Sequence, residues 1–271
     1  MVSTAVNPEL KPNVNVSMTT RIVLVVEYDG TRYHGFQLQG RLPTIQRELE
    51  RALKELTGDS TRVMAASRTD AGVHARAQVV SFKTRSSHSP DTFIKGMNYY
   101  LPKDIAVRAA YKVRDSFNVR RHAVSREYEY RILNSTARSP LRQHSYLVPG
   151  YLDTDAMNRA AELLIGEHDF ASFVNNAEAA AKGTVRKIYR AEWRREEDNV
   201  IFNILANAFL MHQVRNTVGV LIKVGRGKIS ADDFRSILES RQPGLAWPTA
   251  PARGLCLTRV DYAKPLEDEI W

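Results

Sequence analysis

Apolar positions along the chain follow two patterns. Some segments are rich in β-branched residues or alternate apolar with polar positions, which predicts strands. Others repeat apolar residues every three or four positions, which predicts helices. Strands are predicted over residues 21–28, 79–82, 105–113, 126–133, 186–195, 200–206 and 254–262. Helices are predicted over residues 44–57, 91–100, 154–165, 209–224 and 230–239.

Both halves of the chain therefore have strands around a long amphipathic helix. This order predicts an α+β protein in which two similar halves form a largely antiparallel central sheet flanked by helices. The first half is predicted to span residues 21–115 and the second residues 116–264. Residues 1–20 are polar and irregular, which predicts a disordered tail, and residues 265–271 form a second predicted tail.

Composition changes this picture by indicating a partner. The chain has 271 residues and a net charge of +9, which favours an anionic partner such as nucleic acid, although simple solubility is the alternative. The single cysteine, Cys256, excludes an intramolecular disulfide and favours the cytoplasm, and we expect it to be a core side chain. No apolar run is long enough to cross a bilayer. Residues 225–228, Gly-Arg-Gly-Lys, lack Walker A spacing, so no nucleotide cofactor is expected.

The segment 66–78 carries the densest candidate chemistry. Asp70 has Arg68 two residues before it, and His74 and Arg76 follow it in the same segment. Neighbouring cations favour the charged form of a carboxylate. A basic loop with one ionised acid suits a polyanionic substrate and a carboxylate nucleophile or base. The alternative is an Asx-turn, in which Asp70 only caps its own backbone.

Arg215 lies at the edge of an apolar stripe on the helix predicted for residues 209–224. The predicted buried stripe consists of Met211, Val214, Val218, Leu221 and Ile222. An arginine half inside a core usually has a carboxylate partner. Alternatively, its aliphatic stem could follow the surface of the helix while the guanidinium stays in water.

Two further side chains have both a structural and a functional interpretation. Tyr128 shares a strand face with Tyr130 and Ile132, which is typical of core aromatics, but an aromatic side chain at a cleft edge can also stack on an unstacked base. Leu255 lies in the last predicted strand and is interpreted from pattern alone as a core residue.

Residues 68–75, Arg-Thr-Asp-Ala-Gly-Val-His-Ala, resemble the active-site loop of the TruA family of tRNA pseudouridine synthases. Further segments between about residues 21 and 262 resemble the family in the same order. They are residues 28–37, 44–53, 98–105, 126–132, 166–170, 214–219 and 250–255. The chain departs from the family at Ser67, where the family usually has glycine.

The resemblance implies the pseudouridine synthase fold and an isomerase that converts uridine to pseudouridine in the tRNA anticodon stem-loop, at nucleotides 38 to 40. It implies Asp70 as nucleophile, with attack at either C1′ or C6, and Arg215 beside it. It also implies that Tyr128 stacks on the flipped base and that Leu255 lines the uracil pocket. No metal or cofactor is needed for such an isomerisation, and a homodimer binding tRNA across both subunits is implied.

The remaining basic-loop residues receive supporting roles. Arg68 is expected to support the active site, and His74 and Arg76 are expected to contact the RNA. Two other functions stay open. One is a catalytically inactive, basic RNA-binding protein of the same fold. The other is metal-dependent RNA cleavage, which needs clustered carboxylates that the segment around Asp70 lacks.

Overall fold

A long mixed sheet organises the protein. The computed structural model describes residues 19–181 and 183–269; residues 1–18 of the predicted N-terminal tail and residues 270–271 of the predicted C-terminal tail lie outside the described residues. The strands are β1 (Thr20–Tyr28), β2 (Met64–Ala65), β3 (His74–Thr84), β4 (Ile105–Val113), β5 (Ala123–Leu133), β6 (Tyr146–Leu147), β7 (Gly166–Asp169), β8 (Val185–Glu196), β9 (Asn199–Ala206) and β10 (Leu255–Tyr262). The helices are α1 (Ile45–Thr57), α2 (Pro90–Tyr100), α3 (Thr154–Glu162), α4 (Asn176–Ala181), α5 (Gln213–Gly225) and α6 (Ala231–Ser240).

The strand order is β4-β1-β3-β10-β5-β9-β8-β7, with β2 added to β3 and β6 added to β5. Neighbouring strands are antiparallel except at the pairs β3·β10 and β5·β6. The sheet therefore joins the strands of the first half to those of the second through β10, the last strand of the chain. This arrangement confirms the predicted α+β fold with a largely antiparallel central sheet.

The seam between the two halves is short. Strands β3 and β10 pair in parallel only at Cys256 with His74 and at Leu257 with Ala75. Because parallel strands begin at the same edge of a sheet, the loop that leads into β3 and the start of β10 lie together. The seam therefore places the Asp70 loop beside Leu255.

Local signals set the first helix as predicted. The Thr44 hydroxyl oxygen accepts a hydrogen bond from the Arg47 N–H at 3.3 Å, and Gly58 ends the helix in the left-handed conformation with φ of 76°. Ile45, Leu49, Ala52 and Leu53 are buried in the main hydrophobic core, and Leu56 packs against it. Helix α1 therefore contributes its predicted apolar face to the core of the first half.

The prediction was wrong at the start of α5. The helix begins at Gln213 rather than at residue 209, because His212 adopts φ of 61°, which ends helical geometry on its N-terminal side. The Gln213 side chain instead accepts a hydrogen bond from the Leu210 N–H at 2.9 Å. Met211, which was predicted to be buried, is consequently 45% exposed. The rest of the predicted stripe is buried.

Other boundaries also shifted. Strand β3 begins at His74, so residues 74–78 belong to a strand rather than to the loop that carries Asp70, and β7 occupies residues where no strand was predicted. Cys256, for which a core position is predicted, is only half-buried. Residues 265–269 include a short 3-10 helix in which Glu267 accepts a hydrogen bond from the Tyr111 hydroxyl at 2.9 Å. None of the helices in the described part of the chain has the length and apolarity that a bilayer crossing requires.

Candidate active site

The loop of residues 66–73 carries Asp70 and is held by the turn that follows β1. The Phe36 N–H donates to the Thr69 carbonyl at 3.0 Å, and the Gly72 N–H donates to the Tyr33 carbonyl at 3.1 Å. Gly35 has φ of 85°, and a Cβ there would stand 2.7 Å from the Thr69 carbonyl oxygen. Glycine is therefore needed at this contact. The turn after β1 thus fixes the backbone on either side of Asp70.

Asp70 faces two cationic or protonatable side chains. Its Oδ2 atom lies 3.3 Å from Nη1 of Arg215 and 3.5 Å from Nε2 of His212, and its side chain is 21% exposed. Among the residues that the structure describes, both polar contacts go to Oδ2, which leaves Oδ1 without a side-chain partner.

The geometry argues against a simple Asx-turn at this position. The turn is closed by a backbone hydrogen bond from the Val73 N–H to the Asp70 carbonyl at 3.2 Å. Within the described ranges, the Asp70 carboxylate accepts no hydrogen bond from the backbone of its own loop. The carboxylate is therefore directed across the cleft rather than used to cap its own segment.

Arg215 is oriented by the chain segment that precedes β10. Its Nε donates to the Ala250 carbonyl at 2.8 Å, and the Ala250 N–H donates to the Arg215 carbonyl at 3.0 Å. This close contact between α5 and the segment before β10 requires a glycine at position 219, one helical turn further along α5. A Cβ on Gly219 would stand 1.7 Å from the Pro248 carbonyl oxygen. Arg215 is only 16% exposed, so its guanidinium does not extend into water along the helix surface.

A cavity of about 500 Å³ opens around these groups. Five of the predicted site residues line it: Arg68, Asp70, Tyr128, Arg215 and Leu255. Pockets of this size accommodate small organic groups, and an unstacked nucleobase falls within that range. The structure therefore brings together residues that are up to 187 positions apart in the sequence, from Arg68 to Leu255.

Tyr128 forms one wall of the cavity and is 5% exposed. Its ring packs edge-on against Phe209 with centroids 5.2 Å apart, and its hydroxyl lies 3.0 Å from the Ser67 hydroxyl. Burial raises the pKa of Tyr128 to about 12, although the hydrogen bond with Ser67 lowers it in part. The phenol is therefore neutral at physiological pH and can donate as well as accept a hydrogen bond.

Sequence reasoning missed His212, Phe209 and Arg126, which also line the cavity. His212 and Phe209 precede α5, in a segment for which a regular helix is predicted. The one available signal was that His212 lies three residues before Arg215, but the left-handed backbone that turns it toward Asp70 has no signature in the sequence pattern.

His74 and Arg76 do not line this cavity. The His74 ring is buried, where Nδ1 accepts from the Gly30 N–H at 3.1 Å and Nε2 lies 3.1 Å from the Arg253 carbonyl oxygen. Burial and the nearby His144 lower the pKa of His74. Arg76 Nη2 lies 3.4 Å from Oε1 of Glu129. The structure thus places both predicted RNA contacts outside the cavity that Asp70 lines.

Asp29, His74 and His144 form a cluster whose potential ligand atoms lie within 4.8 Å of one another. The His74 Nδ1 lone pair already accepts the Gly30 N–H, while its other nitrogen faces a carbonyl. Asp29 Oδ1 accepts two hydrogen bonds from Thr31, at 2.9 and 2.6 Å. His144 Nε2 lies 3.1 Å from the other Asp29 oxygen, Oδ2, so all three side chains have partners within the protein.

Comparison with known proteins identifies the family of this chain. A family model described as tRNA pseudouridine synthase matches residues 24–120 and 160–263. The chain belongs to the tRNA pseudouridine synthase family. Asp70 lies in the first matched range, whereas Arg215 and Leu255 lie in the second, and Tyr128 falls between them.

Full-length relatives agree with this assignment. The synthase is 43% identical over 242 residues to tRNA pseudouridine synthase A of Acetivibrio thermocellus, covering 89% of this chain and 99% of that protein. It is 45% identical over 246 residues to the protein of the same name from Roseiflexus castenholzii, covering 89% and 90% respectively. The predicted family and the predicted enzyme class are confirmed: the synthase is an isomerase that forms pseudouridine from uridine.

Proposed function

We propose that the protein forms pseudouridine at nucleotides 38 to 40 of the tRNA anticodon stem-loop, with Asp70 as the nucleophile. The observation that carries this proposal is the Asp70 carboxylate in the cavity, with Oδ2 held near Arg215 and His212 and Oδ1 unpaired among the described residues. A carboxylate can act as a nucleophile through one oxygen while its neighbours orient the other oxygen. The contacts of Asp70 are consistent with this division between Oδ2 and Oδ1.

The charges around the cavity support a polyanionic substrate. The cavity is lined by four arginines and two carboxylates, Asp70 and Glu178. Arg126 is buried and is held by backbone carbonyls, among them those of Asn207 and Arg120 at 2.8 and 2.9 Å. Arg68 and Arg120 are exposed at the rim. The buried guanidiniums contribute a fixed positive field, and the exposed ones are placed to contact phosphates.

The reaction follows from these positions. The target uridine must leave the base stack to reach Asp70, and Tyr128 and Leu255 then offer an aromatic and an aliphatic surface for the uracil. Attack by the Asp70 carboxylate at C1′ displaces N1, whereas its addition at C6 is followed by cleavage of the N1–C1′ bond. The uracil turns and a C5–C1′ bond forms. The Asp70–C1′ bond of the first route breaks as C5 attacks C1′, and the Asp70–C6 bond of the second route breaks after the C5–C1′ bond has formed, so the carboxylate is regenerated in both. C5 loses its proton and N1 regains one. Atoms balance without any oxidant or co-substrate, so a carboxylate and proton carriers are sufficient.

The position of Arg215 supports its role as the partner of this carboxylate. Arg215 is anchored by Ala250, and the anchor leaves Nη1 directed at Asp70. A guanidinium in this position limits the rotation of the carboxylate. Arg215 therefore preorganises the attacking group before the base enters the cavity.

The test of substrate and site uses unmodified tRNA transcripts and the purified full-length protein. We expect pseudouridine at nucleotides 38 to 40 by chemical mapping. A matched transcript with cytidine at those nucleotides should gain none, although it should bind with the same affinity. Pseudouridine that appears only elsewhere in the tRNA would refute the proposed site. Tight binding without any product would support a catalytically inactive RNA-binding protein, and RNA fragments would indicate a nuclease.

A further inference from the structure

Ser67 is held at both backbone groups by one buried amide. The Ser67 N–H donates to Gln78 Oε1 at 3.3 Å, and the Ser67 carbonyl accepts from Gln78 Nε2 at 2.8 Å. Gln78 is fully buried on β3. Two hydrogen bonds from a buried planar amide fix both the position and the orientation of the peptide groups they contact. Ser67 is therefore rigid although it lies in a loop at the wall of the cavity.

Thr69, on the other side of Arg68, belongs to the same hydrogen-bond network. The Tyr28 hydroxyl lies 2.8 Å from the Thr69 hydroxyl, and Gln78 Nε2 reaches the same Tyr28 hydroxyl at 3.4 Å. Tyr28 and Thr69 are both buried. The residues before and after Arg68 are thus tied to β1 and β3, which restricts the loop from Ser67 to Asp70.

The side chain of Ser67, held in place by these contacts, forms a hydrogen bond with Tyr128. Its Oγ lies 3.0 Å from the Tyr128 hydroxyl, and within the described part of the chain no other hydrogen bond reaches that hydroxyl. Phe209 packs edge-on against the Tyr128 ring. Once a ring is fixed, the remaining freedom of a phenol is rotation of its O–H bond. Ser67 therefore determines in which direction the Tyr128 hydroxyl offers its proton or its free lone pair.

We propose that Ser67 is a positioning residue for the isomerisation, which acts by orienting the Tyr128 hydroxyl toward the base. This inference rests on the proposed function, because it requires that the Tyr128 hydroxyl takes part in a proton transfer. If Ser67 donates, the Tyr128 proton is free to point into the cavity. If Ser67 accepts, a Tyr128 lone pair faces the cavity. In both cases, loss of the serine hydroxyl lets the Tyr128 O–H group rotate freely. Proton transfer then becomes slower, without the loss of any contact to tRNA.

A double-mutant cycle tests this proposal. Single-turnover pseudouridine formation is measured with saturating protein for the wild type, Ser67→Ala, Tyr128→Phe and the double variant. We expect Ser67→Ala to slow the reaction about threefold to tenfold, the effect of one neutral hydrogen bond, at unchanged tRNA affinity and melting temperature. In the Tyr128→Phe background the same serine change should have no further effect. Ser81→Ala is the matched control, because Ser81 on β3 is buried and its hydroxyl has no partner among the described residues.

The outcomes separate this proposal from the proposed function. A wild type that forms no pseudouridine contradicts the function itself. A Tyr128→Phe variant at the wild-type rate overturns the positioning role of Ser67 but leaves the function intact, and so does a Ser67→Ala loss that is equally large in both backgrounds. If Tyr128→Phe forms too little product to measure, Ser67→Ala alone decides. A slower reaction at unchanged affinity then supports the proposal, and the wild-type rate overturns it.

Discussion

Replacing Arg215 by lysine separates the charge beside Asp70 from the geometry that directs it. The arginine uses two different nitrogens, Nε for the Ala250 carbonyl at 2.8 Å and Nη1 for Asp70 at 3.3 Å. A lysine ammonium is a single point, and it cannot keep both contacts at these positions. Arg215→Lys therefore preserves the net charge but leaves Asp70 less firmly oriented.

The magnitude follows from the contact that is lost. A hydrogen bond to a charged group contributes about 1.5–3 kcal/mol. If that contribution is present in the transition state, its loss slows the reaction roughly tenfold to 150-fold, since about 1.4 kcal/mol corresponds to a factor of ten. The two side chains are only 16% and 21% exposed, so solvent screens this contact less than it would screen a surface pair.

The assay is single-turnover pseudouridine formation at saturating protein, with tRNA affinity and melting temperature measured alongside. Arg235→Lys on α6 is the matched control, because Arg235 is exposed and does not line the cavity. We expect the control to react at the wild-type rate. A wild-type rate for Arg215→Lys, or a loss that appears only in tRNA affinity, would refute the orientation argument.

Three further predictions concern the same cavity and its partner. Tyr128→Phe should fold and bind tRNA normally but turn over much more slowly, as measured by nucleoside mass spectrometry; full activity would restrict Tyr128 to stacking. Log affinity for tRNA should fall steeply with log salt, and Arg68→Ala should flatten that slope in filter-binding titrations; a salt-independent affinity would refute phosphate contact. Exhaustive chelation in monovalent salt should leave the rate unchanged, and loss of turnover that one divalent ion restores, with tRNA folding intact, would argue against metal-free chemistry.

The sequence pattern was most informative where local physics decides the structure. The β-branched run of β1 and the capped, amphipathic α1 form as predicted, because their signals lie within about a dozen residues. The start of β3 was missed since residues 74–78 have no strong strand pattern. It is stabilised by the distant β10, through Cys256 paired with His74. Such pairing depends on tertiary contacts that a local pattern does not contain.

The same distinction applies to the candidate site. The pattern around Asp70 alone left an Asx-turn open, and only the family resemblance placed Arg215 beside it. Their contact joins residues 145 positions apart. The position of His212 depends on one left-handed residue, and the separation of His74 from the cavity depends on where a strand begins. Both are consequences of the assembled fold, so neither could be derived from spacing.

Asp70→Asn is the most direct test of the proposed mechanism, because it nearly preserves shape while removing the charge and the nucleophile. The variant is incubated with unmodified tRNA, pseudouridine is measured by nucleoside mass spectrometry, and melting curves and tRNA affinity serve as folding controls. Asp232→Asn, an exposed change at the start of α6, is the matched substitution and should remain active. We predict that Asp70→Asn folds, binds tRNA and forms no detectable pseudouridine. Pseudouridine formation by Asp70→Asn at a rate near that of the wild type would contradict the assignment of Asp70 as nucleophile.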